Sequence, residues 1–343
     1  MGRRPLITLE REEPNARVLV VTTAWPDADD PVYGIPVKRQ VDQLIAHGVT
    51  CDVLYVRGYR SPLAYPLAAL RLGISTLTKP RSYRLVHAHG GEAAVVASLY
   101  RRAPLLVTYL GSDLLGTPRA DGSMDLQWRI RRSIVRRHAR LAARTITESS
   151  EMESVLPAAV RMRNTVIPKG IDTRVFSELD RRESRRELGW PEDARIALFA
   201  ADPSVPLKRF WLAQAAVELA RAELPDVSLR AAGGIDPDRM PVLMSAADCL
   251  LHTSASEGSP NVVKEALMCN LPVVATPAGD IEELIADVTP SFLCQASAGA
   301  LAQALVACLL EPRRSDGRMR ATRLDQAAVT ESILRIYDEI ADS

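Results

Sequence analysis

Short apolar runs of strand length alternate with segments of helical periodicity along most of the chain. The first run, RVLVVTT at residues 17–23, predicts a buried strand, and the apolar residues after it recur at helical spacing until Gly48. Four similar runs follow, namely CDVLYV, RLVHA, PLLVTYL and RTITES. Because strands separated by helices pair in parallel, this alternation predicts a parallel sheet with helices on both faces.

A second series of the same kind begins after the charged segment 177–194, which we predict to be a linker. Its strand-like runs are RIALFAA, VSLRAA, DCLLHT, PVVATP and SFLC. The sequence therefore predicts two doubly wound, Rossmann-like α/β domains, residues 1–176 and 177–324, that face each other across a cleft. Parallel sheets of this kind bind ligands at the carboxyl ends of their strands, so we expect ligands in that cleft.

The overall composition argues against several classes of protein. The 343 residues include 43 Lys and Arg against 42 Asp and Glu, a balance that does not suit a protein built to hold nucleic acid. The five cysteines form no CxxC pattern, which favours free thiols in a reducing compartment. No apolar run reaches the ~18 residues of a membrane span, and the start of the chain lacks the apolar core of a signal peptide. We therefore predict a cytoplasmic protein.

The segment SEGSPNVVKEAL, residues 256–267, carries the clearest indication of chemistry. Ser259 is expected to cap a helix that begins at Pro260, since serine accepts hydrogen bonds from free amides and proline tolerates the first turn. The amides of Asn261, Val262 and Val263 would then point outward. Together with the helix dipole they form an anion site that suits a diphosphate.

Two glutamates, Glu257 and Glu265, flank this helix start. Carboxylates beside a phosphate would repel it, so their expected partners are the hydroxyl groups of a hexose and a ribose. A solvated surface helix with two exposed glutamates would show the same spacing. The neighbouring strands and a second capped helix, with Asp280 and Glu283 as a capping box, argue against that alternative.

Four segments together resemble the retaining glycosyltransferases of family 4, which adopt the two-domain GT-B fold. They are EGSPNVVKEALMCNLPVVAT, VIPKGIDTRVF, VTYLGSDL and LVHAHGG. The resemblance implies that Glu257 binds the donor sugar and Glu265 the nucleotide ribose. It also implies that a C-terminal helix, residues 325–343, packs back on the N-terminal domain. The segment implied to meet the diphosphate and sugar with its backbone comprises Gly258, Ser259, Pro260, Asn261 and Val262.

The same resemblance draws attention to further groups near the donor. Lys208 matches a family lysine that contacts the leaving diphosphate, whereas the position of the family's arginine falls on Ala201 or Asp202. Arg209 is a candidate substitute, because a guanidinium can bind phosphate through two parallel hydrogen bonds. A helix start with two solvated cations would look the same. In the N-terminal domain, Gly34 is the single match to the family's glycine-rich loop, which approaches donor phosphate and acceptor.

Candidate acceptor or cleft residues follow the strands of the N-terminal domain. His87 and His89 share one face of a strand end, where they would contact donor or acceptor or else be packed by local hydrogen bonds. Asp113 lies at the next strand end, beside Leu110, where many family members have a histidine. Lys169 precedes the turn between the domains and either faces the cleft or is solvated.

The segment after Ile235 is shorter than in the family, which normally has an extra helix and strand there. In the family, the loop after this helix and strand contacts the nucleotide base. The shortened segment therefore leaves the identity of the donor base and sugar open.

Asp27 and Asp29, like Asp236 and Asp238, spell the DxD motif of a different glycosyltransferase fold. Their turn-forming neighbours indicate an incidental pattern, and we predict no metal and no cofactor beyond the donor.

Residues 129–144 contain seven arginines and no acidic residue. Such a surface attracts anionic lipid headgroups by roughly 1 kcal/mol per nearby cation. Together with RGYRSPLAYPLAALRLG it is consistent with peripheral contact with the inner face of the cell membrane and with a lipid-linked acceptor. The lack of exposed aromatic residues favours the alternative, a solvated amphipathic helix packed on the sheet.

The sequence as a whole predicts a retaining, metal-independent glycosyltransferase. It would move a sugar from a nucleotide-diphosphate donor to the hydroxyl of a carbohydrate, lipid-linked or small-molecule acceptor, in the synthesis of cell-envelope polysaccharide, glycolipid or secondary metabolite. Two other functions remain open at this point. One is a sugar-nucleotide 2-epimerase of the same fold, and the other is a non-catalytic nucleotide-sugar-binding partner of an active transferase.

Overall fold

The computed structural model describes residues 17–31, 33–58, 60–78, 83–116 and 125–342. Contacts divide the described chain into two compact units, one ending at Gly170 but including the residues from Gln326 onward, the other running from Ile171 to Asp325. The boundary predicted after Phe176 falls inside the second unit, because Ile171 and Phe176 pack in the core of that unit. The chain start, in which we expect no signal peptide, lies outside the described residues.

The strands of each unit form one parallel sheet. The first sheet has the order β2-β1-β3-β4-β5-β6 and the second the order β11-β10-β9-β7-β8. The strand β6 is short and was not predicted. The strands are β1 (Arg17–Thr22), β2 (Thr50–Tyr55), β3 (Leu85–His89), β4 (Leu105–Thr108), β5 (Arg144–Thr147), β6 (Asn164–Val166), β7 (Arg195–Phe199), β8 (Val227–Ala231), β9 (Cys249–His252), β10 (Val273–Ala275) and β11 (Phe292–Leu293).

Helices connect the strands in both units. In the described parts of the chain, none of them combines the length and hydropathy needed to cross a bilayer. The helices are α1 (Ile35–Ala46), α2 (Ala64–Thr78), α3 (Gly91–Ala97), α4 (Ser112–Leu115), α5 (Leu126–His138), α6 (Ser150–Ser154), α7 (Ala158–Arg161), α8 (Arg181–Leu188), α9 (Phe210–Ala220), α10 (Met240–Ala246), α11 (Asn261–Met268), α12 (Ile281–Ile285), α13 (Ala298–Leu309), α14 (Gly317–Arg320) and α15 (Gln326–Ala341).

The central strand β1 separates two apolar layers of the first unit. Val18 and Val20 face one layer, and the alternate residues Leu19 and Val21 face the other, as the twofold period of a strand requires. The layer on the side of Val18 is completed by α15. This helix comes from the far end of the chain, and the residues that it buries, Ile333, Ile336, Tyr337 and Ile340, recur at helical spacing.

The segment predicted as a linker is part of the second unit. It contains α8, whose Arg185 is fully buried. Nε of Arg185 donates to the carbonyl of Ala246 at 2.8 Å, and one Nη lies 2.8 Å from Oδ2 of Asp248. A buried guanidinium needs such partners to offset its lost hydration. Arg181 of the same segment also pairs with Asp248, at 2.8 Å. The charge pattern of the segment therefore reflects two ion pairs with one buried carboxylate and a solvated outer face, not a flexible connection.

The second sheet ends at β8, which is an edge strand with partly exposed side chains. From β8 the chain passes through a short 3-10 helix at Pro237–Arg239 directly into α10 and β9. The expected short connection after Ile235 is therefore present. No additional strand extends this edge in the described residues.

Candidate functional site

Polar side chains meet at the carboxyl ends of β7, β9 and β10, which are neighbours in the second sheet. Lys208 and Arg209 lie after β7, His252 is the last residue of β9, and Thr276 follows β10. Because parallel strands end at the same edge, residues distant in sequence come together there. The loop between β9 and α11 adds Glu257 to this group.

Two neighbours hold Glu257 as an anion. Its Oε1 lies 2.5 Å from Nζ of Lys208 and 3.5 Å from Nε2 of His252. Burial alone would raise the pKa of Glu257, but the contact with His252 and the charge of Lys208 outweigh burial and lower the pKa to about 2. The carboxylate therefore stays ionised near neutral pH. It is a hydrogen-bond acceptor for any hydroxyl group that reaches this edge.

Arg209 fixes the loop that follows β9. Its own backbone is left-handed, with φ 50°, and turns the chain into α9. Its Nε donates to the carbonyl of Thr253 at 2.6 Å, while one Nη donates to the carbonyl of Ser254 and to Oγ1 of Thr276. The predicted phosphate contact would have to use the other Nη of the guanidinium. Arg209 thus supports the shape of the site, a role that the sequence did not reveal.

The predicted capping of α11 is wrong. Pro260 is the N-cap residue, and the helix begins at Asn261 without a side-chain cap. The hydroxyl of Ser259 instead donates to Oδ2 of Asp280 at 2.6 Å, and both side chains are buried. The capping box predicted for Asp280 and Glu283 is also wrong. Asp280 accepts the hydrogen bond of Ser259, and α12 has no side-chain cap. This bond joins the loops that precede α11 and α12.

The start of α11 offers main-chain donors. The prediction of an outward amide is wrong for Val263, which donates to the carbonyl of Pro260 at 3.2 Å, whereas the amides of Asn261 and Val262 precede this bond. Oδ1 of Asn261 is buried and accepts no hydrogen bond from the described residues. Glu265 lies half-buried one turn further along the helix. Free amides and the positive end of a helix dipole favour an anion at this position.

Gly279 allows the two loops to touch through their backbones. Its φ is 58°, and a Cβ built on it would lie 2.6 Å from the carbonyl oxygen of Gly258. Any side chain at position 279 would therefore displace the loop that carries Glu257. The close approach of the two backbones fixes the position of this loop relative to the end of β10.

Three members of the site were missed by sequence reasoning. His252 contacts Glu257, Thr276 accepts from Arg209, and Asp280 accepts from Ser259. Their common signal is a polar residue at or shortly after the end of a predicted strand. The position of the family's arginine has no cation, because it falls on Ala201 or Asp202. Asp202 is exposed, and its Oδ1 accepts from the amide of Ser204.

A cavity of about 880 Å³ opens at the carboxyl edge of the first sheet. Its walls come from α2, α3 and α5 and from the loops that follow β1, β3 and β4. Most of the lining side chains are apolar or aromatic, which is typical of ligand pockets. Residues at its lining include Thr23, Tyr65, Gly90, Leu110, Asp113 and Trp128.

Asp113 borders this cavity and holds the backbone around it. Its Oδ2 accepts from the amide of Gly91 at 2.7 Å, and both oxygens accept from the amide of Leu110 at 3.2 Å. Burial raises the pKa of Asp113 to about 7, although these amides oppose the shift. Asp113 therefore lies where an acceptor contact was predicted, with its carboxylate already engaged by main-chain donors.

The two histidines of β3 are core residues. Nδ1 of His87 lies 2.8 Å from the hydroxyl of Tyr337, and Nε2 lies 2.8 Å from Oγ1 of Thr108. The predicted contact of His87 with a ligand is therefore wrong, because both ring nitrogens have protein partners. His89 stacks on His87 with ring centroids 4.1 Å apart, is fully buried, and is absent from the cavity lining. Burial lowers the pKa of His89 to about 3, so the ring is neutral.

Lys169 and Gly34 lie at different places in the first unit. Nζ of Lys169 is 2.9 Å from Oε1 of the buried Glu148, so this lysine is paired with a carboxylate and not simply solvated. Gly34 is the N-cap residue of α1, with φ 83°. A Cβ there would lie 2.3 Å from the carbonyl carbon of Ala24, a cavity-lining residue, so only glycine fits against this loop.

The aspartates of the first DxD sequence are engaged within their own loop. Oδ1 of Asp27 accepts from the amides of Asp29 and Asp30, and Asp27 also pairs with Arg57. Among the described residues, no group of three His, Cys, Asp or Glu side chains is placed to hold a metal ion. Metal independence remains a prediction that activity measurements must test.

Family models match both parts of the chain. Residues 9–175 match the model for Glycosyltransferase Family 4, and residues 204–311 match the model for glycosyl transferases group 1. The chain belongs to glycosyltransferase family 4. The segment EGSPNVVKEAL lies within the second matched region.

Curated relatives of this family 4 glycosyltransferase cover most of its length. TuaC of Bacillus subtilis, a glycosyltransferase assigned to teichuronic acid biosynthesis, is 27% identical over 84% of this chain and 88% of the relative. A D-inositol 3-phosphate glycosyltransferase of Mycobacterium tuberculosis is 28% identical over 84% of this chain and 66% of the relative.

Solved structures confirm the predicted GT-B fold class for this family 4 glycosyltransferase. Sucrose-phosphate synthase of Thermosynechococcus elongatus has a TM-score of 0.77 at 19% identity, over 95% of this chain and 99% of the other. Anabaena Alr3699/HepE, solved in complex with UDP-glucose, has a TM-score of 0.66 at 19% identity, over 94% and 99% of the two chains. At this level of identity the likeness shows the fold alone.

Proposed function

We propose that this glycosyltransferase moves a sugar from a nucleotide-diphosphate donor to an acceptor hydroxyl, with retention of anomeric configuration and without a metal ion. The observation that carries the proposal is the meeting of the Lys208–Glu257 pair with the start of α11. Cationic and main-chain donors suit the diphosphate, and an ionised carboxylate suits the hydroxyl groups of the sugar.

Each predicted group has a separate role in this proposal. Lys208 and the amides of Asn261 and Val262 bind the diphosphate and stabilise the charge that develops as it departs. Glu257 accepts hydrogen bonds from the donor sugar, and Glu265 accepts from the ribose. Positioned donors of this kind are worth about 10²–10³ in rate when one is removed.

The proposed transfer takes place on one face of the sugar. The bond between the anomeric carbon and the phosphate oxygen breaks, and the acceptor oxygen bonds to the anomeric carbon from the same side. The acceptor proton passes to the departing phosphate oxygen, so no protein nucleophile and no metal-bound water is required. Retention follows because the new bond replaces the old one on the same face.

A uridine diphosphate sugar is the first donor to test. Alr3699/HepE, which shares the fold, was solved with UDP-glucose, and this supports a sugar nucleotide as donor class. The choice of base stays open, because the chain passes from β8 to α10 without the extra helix and strand. The acceptor is assigned to the cavity of the first unit, where Asp113 and Leu110 form part of the lining.

A site of action at the inner face of the membrane is also a proposal. It is supported by the exposed arginines of α5, of which Arg129 and Arg137 are examples. In this proposal the membrane also supplies a lipid-linked acceptor to the cavity.

Two variants test the proposal directly. Replacing Glu257 by Gln or Lys208 by Met should lower the rate of transfer or donor hydrolysis about a hundredfold or more. Glu218→Gln is a matched control, since Glu218 is 71% exposed on α9 and pairs with Arg221, which is itself 45% exposed. Unchanged rates in both site variants would refute the assignment. Proton NMR of the product gives its anomeric configuration, and activity in excess EDTA tests metal independence.

The same measurements separate the two rival functions. A sugar-nucleotide 2-epimerase would convert the donor with no acceptor present, which an NMR time course on donor alone detects. A non-catalytic binding partner would bind UDP-sugars in calorimetry and turn over none of a broad panel. The exposed Asp202 at the family's arginine position is the observation that favours this second rival.

A further inference from the structure

The helix α2 exposes large aliphatic side chains along its whole length. We call these five residues the aliphatic row, and each of them is between 50% and 81% exposed. Their spacing places them on one side of the helix. The aliphatic row consists of Leu63, Leu67, Leu70, Ile74 and Leu77.

The opposite side of α2 faces the core with smaller residues. The side chains buried there are Ala64, Ala68 and Leu72. Residues 63–78 include no Asp or Glu, and Arg71 is their one charged residue. A helix on a solvated surface normally directs its large apolar residues inward and its charges outward. The reversed distribution on α2 indicates that the aliphatic row is an interaction surface, since large exposed apolar patches contact membranes or other proteins.

The neighbouring helix α5 combines exposed apolar residues with positive charge. Both α2 and α5 contact α3, so they belong to one side of the first unit. Leu126, Ile130 and Ile134 are exposed on α5, and the arginines of the helix cover much of its remaining surface. An apolar row beside a cationic helix matches the two layers of an anionic lipid surface, its acyl chains and its phosphates.

The cavity of the first unit opens on this side. Ile134 of α5 is 44% exposed and also lines the cavity, and Pro66 of α2 is both exposed and part of the lining. Tyr65 and Ala69 line the cavity from α2, next to the aliphatic row. The rim of the cavity is therefore apolar on the two helices.

We propose that the first unit docks on an anionic lipid bilayer through α2 and α5. The aliphatic row enters the boundary between headgroups and acyl chains, and the arginines of α5 contact lipid phosphates. Docking in this way holds the rim of the cavity against the lipid surface, where a membrane-anchored acceptor can reach it. The last step rests on the proposed function, because it takes the cavity as the acceptor site.

Co-sedimentation with sucrose-loaded vesicles tests the docking surface. The vesicles contain phosphatidylcholine with or without phosphatidylglycerol. The full chain should bind the anionic vesicles, and the double variant Leu67→Glu, Leu70→Glu should lower the partition coefficient about tenfold or more, since burial of two leucines is lost. Arg129→Gln with Arg137→Gln should weaken binding to anionic vesicles and reduce its dependence on salt.

A matched control separates insertion from a general effect of charge. Leu219→Glu with Leu310→Glu changes the same number of exposed leucines and the same net charge, but on the second unit. This control should bind vesicles as the unmodified chain does. Circular dichroism melts of all variants verify that they fold.

Several outcomes would overturn the proposal. They are absence of binding to anionic vesicles, equal binding by the unmodified chain and the α2 variant, and equal loss in the α2 variant and the control. A concentration-dependent dimer that the α2 variant abolishes would assign the aliphatic row to a protein interface and overturn the proposal as well. The shift in melting temperature with a panel of nucleoside diphosphates, UDP among them, is measured on the same samples. Absence of a shift with every member would contradict the donor assignment and leave the vesicle result unaffected.

Discussion

The fold disfavours the ionised form of Asp113 near neutral pH. Its pKa is raised by burial to about 7 from an ordinary value of 3.8. Between these two values the unfolded chain has released the proton while the folded chain retains it. The contribution of Asp113 to the free energy of unfolding therefore falls as pH rises through this window. Glu257 has the opposite effect near its ordinary pKa of 4.5, because there the unfolded chain still binds the proton that the folded chain has released.

We predict that Asp113→Asn removes this contribution, so that between about pH 4 and 7 its stability falls less, or rises more, with pH than the stability of the unmodified chain. Denaturant unfolding at several pH values measures this, and Asp238→Asn on the exposed turn before α10 serves as a control. The amide oxygen of Asn can take the place of Oδ2 and accept from Gly91 and Leu110, but its NH2 group cannot accept from Leu110 as Oδ1 of Asp113 does, so some stability is lost at every pH. An unchanged slope in Asp113→Asn would contradict the assigned pKa.

Single residues were predicted unevenly for a physical reason. Glu257 and Lys208 could be found because each lies within a short motif or at a strand end. The partners of Arg209 and Ser259 could not, since Thr276 and Asp280 reach them only when three strands end at one edge. Such contacts are set by the tertiary fold, not by local spacing.

His87 shows the same limit at greater range. In sequence it is a polar residue at the end of a strand, which is also where ligand contacts occur. Its partner Tyr337 comes from the C-terminal helix, about which the local pattern around His87 says nothing.

At the scale of elements, the loop before α11 depends on one glycine contact. Gly279→Ala should displace the loop that carries Glu257, because the added Cβ would lie 2.6 Å from the carbonyl oxygen of Gly258. We expect donor affinity and transfer rate to fall about tenfold or more, since misplacement by about 1 Å has large effects on catalysis.

A second glycine supplies the control for this variant. Gly234 also has a positive φ, of 68°, but a Cβ there meets nothing within 4 Å. Gly234→Ala therefore carries the backbone strain without the collision. If both variants lost donor affinity equally, strain in the loops and not the contact with Gly258 would be responsible.

Most strands and helices were predictable from the sequence, because most strands of these sheets lie within apolar runs that are longer than the surrounding ones. The exceptions have identifiable causes. The strand β6 is too short and too polar to show a pattern, and its side chains are only half-buried. The helix α8 was taken for a linker because its charges conceal a fully buried Arg185.

At the scale of the whole molecule, each unit has its own apolar core. The first core includes residues of β1 and of α15, which lie at opposite ends of the described chain. The second core lies within residues 171–325. Because the proposed donor site is built from the second unit, damage to the first core should leave nucleotide binding intact.

We therefore predict that two buried substitutions lower different unfolding transitions, one in each unit. Ile333→Ala removes a fully buried side chain from α15 and should destabilise the first unit by about 2–5 kcal/mol. Leu305→Ala makes the equivalent change in α13 of the second unit. Calorimetry with and without UDP measures the temperature of each transition. UDP should raise the temperature of the transition that Leu305→Ala lowers and should not change the temperature of the transition that Ile333→Ala lowers. Since a ligand stabilises only the unit that binds it, a UDP shift confined to the transition of the first unit would move the donor site out of the second sheet.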